Sequence, residues 1–354
     1  MMTMRQSELR SLIAKCAPFV GQLTDITSTV KIKQEEKSIS FSTCDGSAAI
    51  TVSQRLVIPN ESSFECCVKY DALKELVGAF NIYDDVRFEV SDADLLIFSD
   101  DSNFKIPFIE ASHFFFIEPP TIWEILSKEI KDGFVCIDKM PDTKMNEHST
   151  GVIIKNKLLT YLLGSVMFFK KVPDEFDEEF FIAHKDFKRR ISDIEEYAFA
   201  DNRLYFRNIN EWCMLPLKTN KIPRIEMVFA EMQKNVDSVI SVEKITFSSI
   251  CETARGMVNA ATSMFPLDPT INSIKVKAIK SGDILVSGKV GNRSIKVKSV
   301  SEDIELNVLN TFFDIAKNNH FLDSTDVIEL HGGKSLIYAE NQKHEIMVGS
   351  LCRS

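Results

Sequence analysis

Apolar and polar positions follow two rhythms along this chain, and the change from one to the other occurs in the same order three times. Around Leu73, Phe187 and Phe312, apolar residues recur first at a spacing near 3.6 and then at every second position. The first copy runs through Val68, Leu73 and Leu76, then Val86–Val90, a turn at Ser91–Asp94, Leu95–Phe98 and Phe104–Phe108. The second has a helical stretch from Ile182 through Phe187 to Ile191, then Tyr197–Phe199, a turn at Asp201–Asn202, Leu204–Phe206 and Trp212–Leu217. The third has Leu306–Ile315, Val327–Leu330, a turn containing Gly332–Gly333, Leu336–Tyr338 and Glu345–Gly349. Each copy predicts a short helix, a β-hairpin and one further strand. The markers fall about a third of the 354-residue chain apart, so the pattern is an internal repeat.

Every copy also opens with a longer amphipathic segment. The first predicts a helix over Ser7–Ala17 with Leu9, Leu12, Ile13 and Cys16 inward, ended by Pro18. The second predicts a helix after Pro119–Pro120 with Ile122, Ile125, Leu126 and Ile130 inward. The third spans Thr246–Ser263 and buries Phe247, Ile250, Ala254, Met257 and Val258. Two helices against antiparallel strands make an α+β unit. Three such domains are expected, over residues 1–116, 117–228 and 229–354.

Composition changes little in this picture: 44% hydrophobic and 26% charged is ordinary for a globular chain. No apolar run approaches the roughly 18 residues of a membrane span, and the first eight residues lack the apolar core of a signal peptide. A cytoplasmic location is expected. Cys16, Cys44, Cys66, Cys67, Cys136, Cys213, Cys251 and Cys352 contain no Cys-x-x-Cys and have no histidine at metal-ligand spacing, so reduced thiols are expected. The six histidines are scattered, and no nucleophile elbow is present. Gly332–Ser335 resembles the end of a phosphate-binding loop, but Ile328 stands where its first glycine belongs, so a hairpin turn is the better reading. With 51 Asp plus Glu, chance pairings abound and none marks an acid/base pair. The expectation is no enzyme, no catalytic residue, no metal and no cofactor.

The net charge of −9 repels nucleic acid on average, yet basic groups recur on the helical segments. Arg5, Arg10 and Lys15 lie at or before the first helix, Lys69 and Lys74 on the next, and Lys128 and Lys131 after Pro120. Lys185, Lys188 and Arg189 sit at i, i+3 and i+4 as one basic face, and Arg255 and Lys317 belong to the last copy. Singly each is an ordinary solvated residue, and neighbours such as Glu8, Glu75, Glu129 and Glu252 dilute the charge. Together they suit a protein that holds a duplex through phosphates without reading bases. Ile274–Lys277 and Ile295–Lys298 also alternate apolar and basic residues, which is what a solvated strand face looks like.

Three units of two helices and antiparallel strands resemble the bacterial β sliding clamp, the processivity factor of the replicative DNA polymerase. The resemblance covers Ser7 to Leu351 and is carried by Leu306–Asn307, by Phe312, Phe313, Asp314 and Ile315, and by the terminal strand Ile346–Leu351. That family ends on a Met-Pro-Met-Arg-Leu-like strand; Val348 and Gly349 here replace the Pro and the second Met, and Cys352, Arg353 and Ser354 follow. These departures suggest a divergent, phage-type member.

The resemblance implies a head-to-tail homodimeric ring with helices lining the hole. It implies double-stranded DNA, the DNA polymerase, a clamp loader and other proteins with clamp-binding motifs as partners, and no membrane. It also implies an apolar partner-peptide pocket drawing on Leu163, Val166, Met167, Pro223, Val228, Met347, Val348 and Leu351, residues that would otherwise be plain core. Two other classes remain open from the residues themselves: a non-catalytic repeat scaffold for protein–protein interaction, or a metal-dependent nuclease, which needs several carboxylates in one pocket.

Overall fold

A computed structural model describes residues 2–22, 24–56, 63–109, 114, 118–140, 150–155, 157–163, 166–173, 180–218, 225, 227, 230, 234, 238–279, 282–297, 303–318, 322, 325–332, 336–342 and 345–350. The first third contains β1 (Met2–Arg5), α1 (Gln6–Cys16), β2 (Thr29–Glu35), β3 (Ser38–Cys44), β4 (Ala49–Arg55), β5 (Phe64–Lys69), α2 (Tyr70–Ala79), β6 (Asp85–Val90), β7 (Asp94–Phe98) and β8 (Asn103–Pro107). The middle third contains β9 (Glu124–Ile125), α3 (Lys128–Asp138), β10 (Thr150–Lys155), β11 (Leu158–Leu163), β12 (Val166–Lys171), β13 (Phe180–Ala183), α4 (His184–Phe187), β14 (Glu196–Ala200), β15 (Arg203–Arg207) and β16 (Glu211–Pro216). The last third contains β17 (Ser238–Glu243), α5 (Lys244–Met264), β18 (Ser273–Ile279), β19 (Asp283–Gly288), β20 (Gly291–Lys296), β21 (Ile304–Leu309), α6 (Asn310–Asn318), β22 (Val327–Gly332), β23 (Leu336–Asn341) and β24 (Ile346–Ser350). One element order, strand, helix, four strands, helix, three strands, is therefore written three times.

Pairing cuts across the repeats. The four strands that open the first repeat continue into the closing strands of the second, giving the order β5-β2-β3-β4-β16-β15-β14-β9. The opening strands of the second repeat likewise continue into the third as β13-β10-β11-β12-β24-β23-β22-β17. Two four-stranded sheets are left over, β1-β6-β7-β8 and β20-β19-β18-β21. All these pairings are antiparallel. Contacts divide the chain into two compact units, Met1–Leu126 with Asp186–Leu217, and Ser127–Lys185 with Lys218–Ser354. Each unit holds one eight-stranded and one four-stranded sheet.

In the first unit α1 buries Leu9, Leu12, Ile13 and Cys16, the face its spacing predicts, and packs along α2 and on β3 and β4. Two buried hydrogen bonds hold the helices together: Gln6 Nε2 donates to the Val77 carbonyl at 3.0 Å, and Tyr70 Oη donates to the Ile13 carbonyl at 3.0 Å. In the second unit α5, at 21 residues about 31 Å long, buries Phe247, Ile250, Cys251, Ala254 and Val258 and packs along α6. The predicted turn at Asp201–Asn202 has φ values of 50° and 60°, the paired positive φ of a type I′ hairpin turn. β22 and β23 pair antiparallel with Gly332 opposite Ile337, in line with the hairpin reading, while Gly333, Lys334 and Ser335 of the expected turn lie outside the described residues. No described helix is long and apolar enough to cross a membrane.

Two helix predictions need correction. The segment after Pro120 is not helical until Lys128: Glu124 and Ile125 pair with β14 instead, and Ser127 caps α3 by accepting from the Ile130 N–H. Ile122 and Ile125, expected inward, are 80% and 76% exposed. The helix expected over Ile182–Ile191 is a single turn, because Ile182 belongs to β13 and the chain leaves α4 through i to i+3 bonds from Arg189 and Arg190. Arg190 folds its guanidinium over the Phe187 ring at 4.0 Å and donates to the Phe187 carbonyl, taking the acceptor that a continuing helix would use.

Candidate functional site

The basic residues divide into those left open and those engaged within the protein. Arg10 and Lys74 are exposed on α1 and α2 and line a groove of about 570 Å³ whose floor includes Ile13, Ala14, Tyr70 and Val77. Arg5 is exposed where β1 meets α1, Lys128 at the start of α3, Lys185 on α4 and Arg255 on α5, while Lys131 is half-buried and Lys188 is half-buried and engaged. Three others are paired: Lys15 with Glu211, Lys69 with Asp25 at 2.5 Å, and Lys317 with Glu252 at 2.8 Å. Arg255 also acts across the helix pair on Asp314, whose carboxyl is pushed up by burial against the opposing pull of that guanidinium.

Arg189 belongs to neither the basic face nor a helix. Its side chain is 11% exposed, its Nη2 lies 2.6 Å from Asp45 and its Nη1 3.4 Å from Asp186, and its guanidinium stacks 4.7 Å above Phe19. One end of the fork holds the β3–β4 turn through Asp45, and the other ties back to α4 through Asp186. Asp45 Oδ1 also accepts from the Ser47 and Ala48 N–H groups, each at 2.8 Å. Burial raises the Asp45 carboxyl, but these bonds and Arg189 outweigh it and leave its pKa below the usual range.

Of the pocket residues, Leu163 and Val166 stand opposite each other at the ends of β11 and β12 and are 1% and 2% exposed, which makes them core. Met167 is half-buried, and the β12–β24 register pairs it with Val348 and Phe168 with Met347. Pro223, Val228 and Leu351 lie outside the described residues. The Lys275 and Lys277 ribbon is engaged by Glu305 on the neighbouring strand, in line with a solvated face. The seven described cysteines are buried and outside any disulfide, and burial pushes Cys16, Cys66 and Cys213 up to about 12, so these three stay protonated thiols at neutral pH.

Each joint between repeats carries a buried carboxylate that sequence spacing did not reveal. At the β12–β24 joint, Lys170 Nζ lies 2.7 Å from Glu345 Oε1, with the side chains 11% and 3% exposed. Glu345 also accepts from Asn341 Nδ2 at 2.8 Å while its own N–H donates to Asn341 Oδ1 at 3.0 Å. At the β4–β16 joint, Glu211 pairs with Lys15 and its N–H donates to Asn208 Oδ1 at 2.9 Å. The partners are 175 and 196 residues apart, so only the fold brings them together.

Three copies of one element order, joined through sheets that span consecutive copies, define the sliding-clamp fold. No protein-family model and no curated protein matches the sequence, but solved structures of that fold match along the full chain. The DNA polymerase III subunit beta of Pseudomonas aeruginosa superposes with a TM-score of 0.78 at 12% identity, covering 99% of both chains. The Helicobacter pylori beta clamp, solved with a DNA ligase peptide bound, gives 0.79 at 13% identity and covers 99% of both. A Eubacterium rectale protein assigned as a DNA polymerase III beta subunit gives 0.77 at 14% identity, covering 100% of this chain and 99% of its own. At such identities the likeness establishes the fold.

Proposed function

We propose that this chain is a non-catalytic DNA sliding clamp: two copies close head to tail around duplex DNA and tether a replicative DNA polymerase. The observation that carries this reading is the pair of unfinished sheets. Within the chain, the opening strands of one repeat are always completed by the closing strands of the next, through β4–β16 and β12–β24. The opening strands of the third repeat end at β20, and the closing strands of the first end at β8, each with one strand neighbour among the described residues. A second copy supplies what each lacks, twice over, and the assembly closes. Transferring the register of the internal joints sets Asn103 opposite Ser294 and Phe104 opposite Arg293, and protects both edges.

Under this reading the domains are 1–116, 117–228 and 229–354, and Arg5, Arg10, Lys74, Lys128, Lys131, Lys185 and Arg255 face the duplex. Their attraction is diffuse and sequence-indifferent, as sliding requires. Met167 and the β24 face, with Leu163 and Val166 behind them, form the anchor for short peptides of the polymerase, the clamp loader and other clamp-binding proteins; the peptide-bound H. pylori clamp supports that part. The test is topological. The protein is dissociated at high dilution, reconcentrated with nicked circular plasmid, and passed over a sizing column at high salt. A clamp co-elutes with the circle and leaves it once the plasmid is linearised; a scaffold does neither, and a nuclease cuts the plasmid.

A further inference from the structure

The solvent-facing side of the β22–β23 hairpin gathers an arrangement that the clamp reading does not use. Glu329 and Glu340 stand directly opposite each other in the antiparallel register, two like charges where a cross-strand pair is destabilising. His331 lies two residues beyond Glu329 on the same face, and its ring stacks on its own cross-strand partner Tyr338, with centroids 4.2 Å apart and planes 8° apart. The stack fixes the ring so that Nε2 lies 3.4 Å from Glu329 Oε2, and that nitrogen is buried without a hydrogen-bond partner. One donor atom from each of Glu329, His331 and Glu340 falls within 4.8 Å of the other two.

We propose that Glu329, His331 and Glu340 form a divalent metal site of zinc type, with one imidazole nitrogen, two carboxylate oxygens and water completing the shell. Bonds of about 2.1 Å in a tetrahedral shell place neighbouring ligands about 3.4 Å apart, the separation found between Nε2 and Glu329. Glu329 is 55% exposed at its side chain, so small rotations close the remaining distance. The imidazole favours a zinc-type ion over magnesium or calcium, which prefer all-oxygen shells. A bound cation also resolves the carboxylate repulsion.

The test titrates chelator-treated full-length protein with Zn²⁺ by calorimetry and with Co²⁺ by visible absorption, for the wild type and for His331→Gln and Glu340→Gln. One equivalent is expected in the wild type, weakened in each variant by at least the roughly 10–100-fold that loss of an outer-shell partner costs. Circular dichroism verifies that the variants fold. Saturating Zn²⁺ should raise the wild-type melting temperature and leave that of each variant much less changed. Equal binding by all three proteins, or absence of a one-equivalent event in the wild type, overturns the proposal.

Discussion

The β12–β24 joint is held by a charge pair that is almost wholly out of water, so deleting one partner is a stringent test of how the sheet is assembled. Lys170→Met keeps the aliphatic stem and removes the ammonium, leaving Glu345, 3% exposed, with Asn341 as its side-chain donor among the described residues. Stripping one member from a buried ion pair costs about 3–5 kcal/mol. The retained Asn341 bond puts the expectation at the low end, about 3 kcal/mol, equivalent to roughly 100-fold in a local opening equilibrium. Hydrogen exchange read by mass spectrometry on peptides covering β12 and β24 measures that opening directly. Exchange there should accelerate by about that factor, while β4 and β16 in the other unit stay unchanged. Adding Glu345→Leu should recover much of the loss, because the uncompensated carboxylate goes with it. Acceleration of less than about threefold, or equal acceleration in both sheets, refutes the assignment of the joint to this pair.

Three further outcomes follow. Asp45→Asn loses charge-assisted bonds to Arg189 and the β3–β4 turn and should cost about 1–3 kcal/mol at pH 7. Because the native Asp45 pKa is depressed, its contribution is full above the unfolded value near pH 3.9 and disappears as pH falls through the lower native value; melting temperature against pH should flatten there in the variant. Gly349→Ala places a Cβ 2.8 Å from Cδ2 of the fully buried Phe312 and should destabilise by about 1–3 kcal/mol in thermal melts, less so when combined with Phe312→Leu. Arg10→Ala and Lys74→Ala should each lower the slope of log affinity against log salt on duplex DNA by about one, without changing sequence preference.

Periodicity carried the local elements well, since an apolar stripe such as Leu9, Leu12, Ile13 and Cys16 is set by short-range spacing and was buried as expected. The Asp201–Asn202 turn was equally legible, because those residue types tolerate positive φ. What failed depended on distant partners. The supposed helix through Arg189 stops at one turn, and Arg189 itself is drawn to Asp45, 144 residues away in the chain. The segment around Ile125 was claimed by strand pairing with β14 before α3 begins. Leu163 and Val166 are apolar on either reading, and β11–β12 pairing buries both, so neither the sequence nor burial separates pocket wall from core. The Glu329, His331 and Glu340 cluster escapes any linear motif, because its third member arrives from the neighbouring strand. Phe312 also gives a physical reason for the departure in the terminal strand, since its ring fills the volume a larger residue at position 349 would need.

The central claim is that β8 of one copy completes the sheet that β20 of another leaves open, and engineered disulfides test it most directly. Opposed residues on antiparallel strands lie about 4.5–5.5 Å apart at Cα, within reach of a disulfide. In a Cys352→Ser background, the described native cysteines are all buried and do not compete. Asn103→Cys with Ser294→Cys should oxidise to a covalently closed dimer, with neither single variant crosslinking; an oxidised double variant that stays monomeric, or that forms an open-ended ladder, contradicts the ring.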